Sequence, residues 1–280
     1  MDKDLNELPS NISIVGKQEQ AVLEAVTDGS WKKYARVAMA ALGGVPWVGS
    51  VLSATATLSS ENEQGKTNQV IFLWAKEHEQ KLKELSVVLG DIFERFNSFG
   101  EEINQRLEST EYLSLVRTTF RKWDQAETYE KRGMLKKLIT NSGVITLAQD
   151  DLVRLFLEWT EKYHEFHFIV IREIYKNPSI TRGAIWENIR GETPREDSAE
   201  ADLFKLLIRD LSTGGVIRQE RETDYDGRFV KKRKSQNGSG RSSTLESAFE
   251  DTKPYVLTGL GAQFVHYVME DIAPQITGNK

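Results

Sequence analysis

The sequence predicts a mainly α protein: an N-terminal helical bundle with a long coiled-coil-like helix, followed by an α+β C-terminal third. Three observations carry this. Apolar residues recur at helical spacing through the first two-thirds of the chain. After Asn177-Pro178 that pattern shortens and breaks. The stretch Ser198–Ile217 then reads as an amphipathic helix with Leu203, Phe204, Leu206, Leu207 and Leu211, a stop at Gly214-Gly215, and a β run opening at Val216-Ile217.

Composition bounds the function. A chain of 280 residues with 39% hydrophobic and 28% charged residues has room for two modest domains with real cores. Its net charge of −5 offers no global basic field, so any nucleic-acid binding must come from a local patch. With no cysteine there are no disulfides, thiolate nucleophiles or cysteine-ligated metals. The acidic start MDKDLNELPSN has no charged-then-apolar secretory pattern, so a cytoplasmic protein is expected, with membrane association after a trigger left open.

Residues 1–16 read as a loose N-terminal segment, and residues 17–147 as the helical bundle. Val37 to Ser60 contains no charged residue, and Gly43-Gly44-Val45-Pro46 breaks it in the middle. It is expected to form two short apolar helices, either as a buried hairpin packed through small residues or as a membrane-inserting one. Next, Ile71, Trp74, His78, Leu82, Leu85, Leu89, Ile92 and Phe96 are spaced 3, 4, 4, 3, 4, 3 and 4 apart. That near-heptad seam predicts a helix lying against a partner helix, within the chain or in a second copy. Trp74, Leu82, Leu85 and Leu89 are the expected oligomer seam, and His78 a packed core histidine. Gly100 interrupts the seam. Two further helices follow, at Glu111–Asp124 and at Thr128–Ser142, with Gly143 as a stop.

Thr146-x-x-Gln149 fits a capping box opening one long connecting helix over 148–177, with a stripe from Leu152 to Ile174. Residues 178–280 form the last domain. Thr181 caps a short helix, Gly191 to Asp197 is a polar loop, and Asp226-Gly227 is a hairpin-turn dipeptide. Lys231 to Ser243 (KKRKSQNGSGRSS) is basic, then Gly/Ser-rich, and predicts a flexible basic wing over 231–252. Tyr255-Val256-Leu257 returns as a strand, and a closing helix begins at Gly259 with Leu260, Phe264 and Val268.

The order helix, helix, helix, strand, wing, strand, helix over about 163–272 resembles the winged-helix superfamily, at the level of fold. The spacing of Gly44, Pro46 and Gly49 within residues 37–60 resembles the hydrophobic hairpins of helical pore-forming toxins and bacterial defence effectors. That resemblance implies a membrane-acting effector whose contact residues would be Gly44, Pro46, Trp47, Val48 and Gly49.

No catalytic, cofactor-binding or metal-binding residue is expected. His164 and His167 sit three apart on a helix with Glu161 nearby, but the H-E-x-x-H spacing is absent. Asp251-Thr252-Lys253 matches the short acid-x-Lys pattern of some nucleases, a match common by chance. Phosphate-cradling glycine loops and a serine elbow are missing as well. The basic set Arg228, Lys231, Lys232, Arg233, Lys234 and Arg241 is the expected contact for nucleic acid or another anionic partner. Against base reading, the approach to the third helix carries Glu196, Asp197, Glu200 and Asp202. The expectation is a non-enzymatic interaction protein that binds a protein partner or itself. A membrane-acting effector and a DNA-binding regulator are the alternatives.

Overall fold

The computed structural model describes residues 30–50, 64–101, 103–144, 150–221, 225–226, 228 and 247–269. The protein is mainly helical, and it divides into two compact units, one of the described residues up to Glu161 and one from Lys162 onward.

The first unit is a helical bundle. A 3-10 turn, Ser30–Tyr34, leads into α1 (Ala35–Gly44). Val45 adopts an extended conformation and ends α1, and residues 46–50 turn helical again, so the glycine-proline break acts where it was expected. Then come α2 (Gln64–Glu77), α3 (Glu79–Ser98), the short α4 (Asn104–Leu107), α5 (Thr110–Gln125), α6 (Tyr129–Val144) and α7 (Asp150–Lys162). Helix α5 is set by its cap, since the Ser109 side chain accepts from the Tyr112 amide. Gly100, at φ 79°, lies just beyond the end of α3.

Helix α1 packs along α5, and small residues make this possible. A Cβ on Gly44 would fall 2.3 Å from the Arg117 carbonyl oxygen. Gly143 is the next-to-last residue of α6, and a Cβ there would meet the Tyr112 hydroxyl at 2.8 Å. That hydroxyl donates to the Ile139 carbonyl at 2.8 Å, tying α5 to α6, and burial pushes its pKa up.

Helix α3 packs against α6 and against the Ser30–Tyr34 turn. Tyr34 stacks on Phe93 at 5.1 Å and meets the edge of Phe96 at 5.5 Å. The seam therefore has its partner inside the chain. Trp74 and Leu82 are buried, and Leu85 and Leu89 are fully so, at 0% exposure. Helix α3, which carries Leu82, Leu85 and Leu89, packs against α6, while Trp74 lies on α2 and packs against Trp47 and His78. Arg132–Glu84 at 3.0 Å and Lys136–Asp91 at 2.8 Å flank the α3–α6 contact.

In the second unit, α8 (Glu165–Lys176), α9 (Arg182–Arg190) and α10 (Ala199–Thr213) precede β1 (Ile217–Gln219), β2 (Tyr255–Leu257) and α11 (Gly259–Phe264), which runs into a π-helical turn, Val265–Met269. Strands β1 and β2 pair antiparallel, with Ile217 opposite Leu257 and Gln219 opposite Tyr255. A lone bridge joins Ile180 to Tyr255. The core gathers Phe168, Ile171, Ile185, Phe204, Leu207, Ile208, Leu211 and Phe264.

Three expectations change here. The long helix over 148–177 is two helices: Tyr163 is a bend, and His164 is extended at φ −86°, ψ 166°, capping α8. Its capping residues Thr146 and Gln149 lie outside the described residues. The left-handed residue after α10 is Gly215 (φ 77°), whereas Gly214 is helical at φ −70°. Gly214 is small for a different reason: a Cβ there would fall 2.0 Å from the Tyr163 hydroxyl. Finally, the end of the supposed wing is anchored. Ala248 and Phe249 are buried, and Phe249 stacks on Phe204 at 5.9 Å while meeting Trp186 edge-on at 5.3 Å.

Candidate functional site

The surface that stands out is the outer face of α10. The helix begins at Ser198, whose hydroxyl accepts from the Ala201 amide at 3.1 Å. It ends by three backbone bonds, Gly214 to Asp210, Gly215 to Ser212 and Val216 to Leu211. With about 100° per residue, Ala201, Phe204, Leu207, Ile208 and Leu211 fall on one arc, and all five are buried. The sequence stripe had included Leu203 and Leu206 in that face. Both point away from it, at 48% and 40% exposure. The five core positions already fill the helix's inner face, so the two leucines are surplus.

Their neighbours are acidic. Leu203 has Glu200 one turn before it, and Leu206 has Asp202 one turn before and Asp210 one turn after. Glu200 and Asp202 are exposed and form no ion pair among the described residues. The cations of this helix are Lys205, paired with Glu196 at 3.4 Å, and Arg209, 4.0 Å from Asp210.

The approach to α10 is also carboxylate-rich, but those groups are engaged locally. Glu196 accepts from the Ser247 hydroxyl, from the Ala248 amide at 3.0 Å and from Lys205 at 3.4 Å. Burial pushes its carboxyl up, but these donors together hold it below the ordinary value. Asp197 is held low by a bidentate pair with Arg195, at 2.7 and 2.8 Å. Glu196 thereby fastens residues 247–248 to the start of α10. Asp251 serves a similar purpose at α9, accepting from the Thr181 hydroxyl at 3.1 Å. Thr181 in turn caps α9 through the Ala184 amide at 3.3 Å.

Of the basic set, Arg228 is exposed. Lys231, Lys232, Arg233, Lys234 and Arg241 lie outside the described residues.

His167 is buried behind α10. Its Nδ1 accepts from the His164 amide at 3.1 Å, which leaves its proton on Nε2. That Nε2 has no hydrogen-bond partner among the described residues. Burial, helped by His164, pushes the imidazole down to about 4. Among the described residues there is no group of three or more His, Asp or Glu placed to hold a metal.

The apolar stretch of the first unit forms a second feature. Val45 and Val48 are fully buried, Gly44 is packed on α5, Pro46 is exposed and Gly49 half-buried. Trp47 acts as a clasp. Its Nε1 donates to Asp124 at 2.8 Å, its ring stacks on His78 at 5.2 Å and 9°, and its carbonyl accepts from Trp74 Nε1 at 3.3 Å. Lys81 lies over the Trp47 ring at 5.6 Å. Trp47, Lys81, Glu84, Trp123, Asp124 and Arg132 line a partly open pocket of about 60 Å³, room for a few ordered waters. Residues 51–60 lie outside the described residues. Among the described residues no helix is long and apolar enough to cross a membrane.

Sequence reasoning missed two things. A helical wheel of Ala199–Thr213 carries the signal for the surplus leucines, because eight apolar positions exceed one face. Asp124 as the acceptor for Trp47 has no sequence signal, being a contact between residues 77 apart.

No family model matches the chain, and no curated protein or solved structure is similar enough to match it.

Proposed function

We propose that this chain is a non-enzymatic interaction protein, a helical bundle joined to a winged-helix module that contacts protein rather than DNA. The helix, bridge, helix, helix, strand, strand order of the second unit supports the winged-helix reading. The carrying observation is the outer face of α10, the helix that would enter the major groove in that fold. It offers Leu203 and Leu206 between carboxylates. Carboxylates repel a phosphate backbone, and leucines make no hydrogen bond to a base edge.

The test is a capture experiment from nuclease-treated native lysate, run beside fluorescence anisotropy on random duplex DNA over a salt series. Protein capture that the Leu203→Ser/Leu206→Ser variant loses, with flat DNA anisotropy at low salt, supports the reading. Steep, salt-sensitive DNA binding replaces it with the regulator alternative.

A second reading, a membrane-acting effector, is favoured by one observation: a stretch without charge is held in the bundle by polar ties concentrated on Trp47. Release of that clasp would free the segment. Liposome leakage by the wild type, lost in Val48→Glu, supports this reading, and no leakage under any trigger removes it.

A further inference from the structure

We infer that the outer face of α10 is a docking site for a cationic amphipathic helix of a protein partner. This rests on the protein-contact reading above and adds the partner's chemistry to it.

The argument starts from surplus. A helix of a folded unit normally turns charged and small polar residues to water, and singly exposed apolar residues need no explanation. Leu203 and Leu206 are not single. They sit at i and i+3, side by side on the helix surface, and lie outside the arc that packs the core. Anchors at that spacing are what a partner helix engages in helix-to-helix recognition.

The rim then selects the partner. Glu200 and Asp202 lie exposed one turn before the two leucines, and Asp210, half-buried and also close to Tyr163 and His167, lies one turn after Leu206. The cations of this helix are Lys205, paired with Glu196, and Arg209, beside Asp210. Glu200 and Asp202 are exposed and have no ion pair among the described residues, so Lys or Arg of a partner can pair with them. An acidic helix would meet like charge at contact distance, which disfavours it strongly. A neutral apolar helix would gain the leucine contacts but leave the carboxylates desolvated without partners. The occupant that satisfies both layers has an apolar stripe flanked by Lys or Arg.

The neighbouring structure holds this face in place. Glu196 fastens residues 247–248 to the start of α10, while Phe204 and Trp186 lock its inner side. A rigid face binds without an ordering cost.

The experiment uses the full chain and two fluorescein-labelled 18-residue helical peptides with identical leucine stripes, one with lysines elsewhere and one with glutamates. Anisotropy is read from low to moderate salt, beside random duplex DNA. The lysine peptide is expected to bind and the glutamate peptide not. Leu203→Ser/Leu206→Ser should weaken the lysine peptide about tenfold or more. Glu200→Gln/Asp202→Asn should weaken it a few-fold and flatten the salt dependence. Circular dichroism checks that both variants remain folded; the substituted side chains are all exposed.

Absence of lysine-peptide binding, or binding unchanged in both variants, overturns the inference. If the glutamate peptide binds equally well and DNA does not, the cationic partner is wrong while the protein-contact reading stands. If DNA binds and neither peptide does, both fall.

Discussion

Helices α3 and α10 are made of similar material and face different surroundings. Helix α3 buries Leu82, Leu85, Leu89, Ile92, Phe93 and Phe96, and its outward positions are polar except for Val87. Helix α10 buries five apolar residues and turns two more leucines to solvent. In the first case the apolar stripe and the covered arc coincide, because α6 and the Ser30–Tyr34 turn pack on it. In the second the stripe is wider than the core it packs against. An apolar seam at helical spacing therefore marks what a helix can bury. It does not mark who buries it.

The comparison is broken most directly by truncating one leucine in each helix. Leu85→Ala should cost about 2–5 kcal/mol, because a fully buried side chain leaves a cavity. Leu206→Ala should change stability by no more than about 0.5 kcal/mol. Denaturant midpoints measure both, and equal losses would mean that Leu206 is as deeply packed as Leu85.

Close packing in the first unit gives the next effect. Gly44→Ala puts a methyl 2.3 Å from the Arg117 carbonyl oxygen, so α1 and α5 must part. About 1–3 kcal/mol is expected, read as a lowered Tm. A stability equal to wild type would mean that α1 is not pinned to α5 at this point.

The second unit has its own buried polar liability at His167. Its folded value of about 4 lies below its ordinary 6.5, so the native state keeps it neutral. The stability it supports is complete above about pH 6.5 and is lost as pH falls toward 4, on the order of 1–3 kcal/mol. Unfolding free energies at pH 7.5 and 4.5, for wild type and His167→Asn, isolate this contribution. The variant should lose less across that window, and parallel curves would count against a buried neutral His167.

Trp47→Phe should cost about 1 kcal/mol by removing the donor to Asp124. It should also raise proteolysis near residue 50 if the clasp holds the apolar stretch. The smallest effect falls on the outer face of α10: Leu203→Ser/Leu206→Ser should leave the Tm within about a degree or two while altering partner binding.

Much of this architecture was legible residue by residue. The break at Gly43–Pro46, the cap at Thr181 and the returning strand Tyr255–Leu257 are local patterns, and local sterics and periodicity decide them. The apolar positions of the 71–96 seam are buried as their spacing implies, but its helix divides at His78 into α2 and α3. Other readings needed the fold. The break at Tyr163–His164 is hidden because the apolar stripe continues in phase across it. Gly143 and Gly214 read as stops because glycine often ends helices. Only the positions of Tyr112 and Tyr163 reveal that each is a point of close approach. The composition of residues 231–252 predicts a flexible stretch, yet Phe249 is drawn into the core by Phe204 and Trp186.

By itself, then, the sequence determined that the chain is helical, where most of its helices start and stop, and that the third helix of the C-terminal region meets its surroundings with carboxylates. Those properties depend on neighbours three or four residues away. Tertiary structure decided which apolar residues are covered, closing the seam at Leu85 and Leu89 inside the bundle and leaving Leu203 and Leu206 in water. Burial is a contest among distant surfaces for the same core. Its outcome is set by how many faces a unit can pack, not by the pattern along one helix.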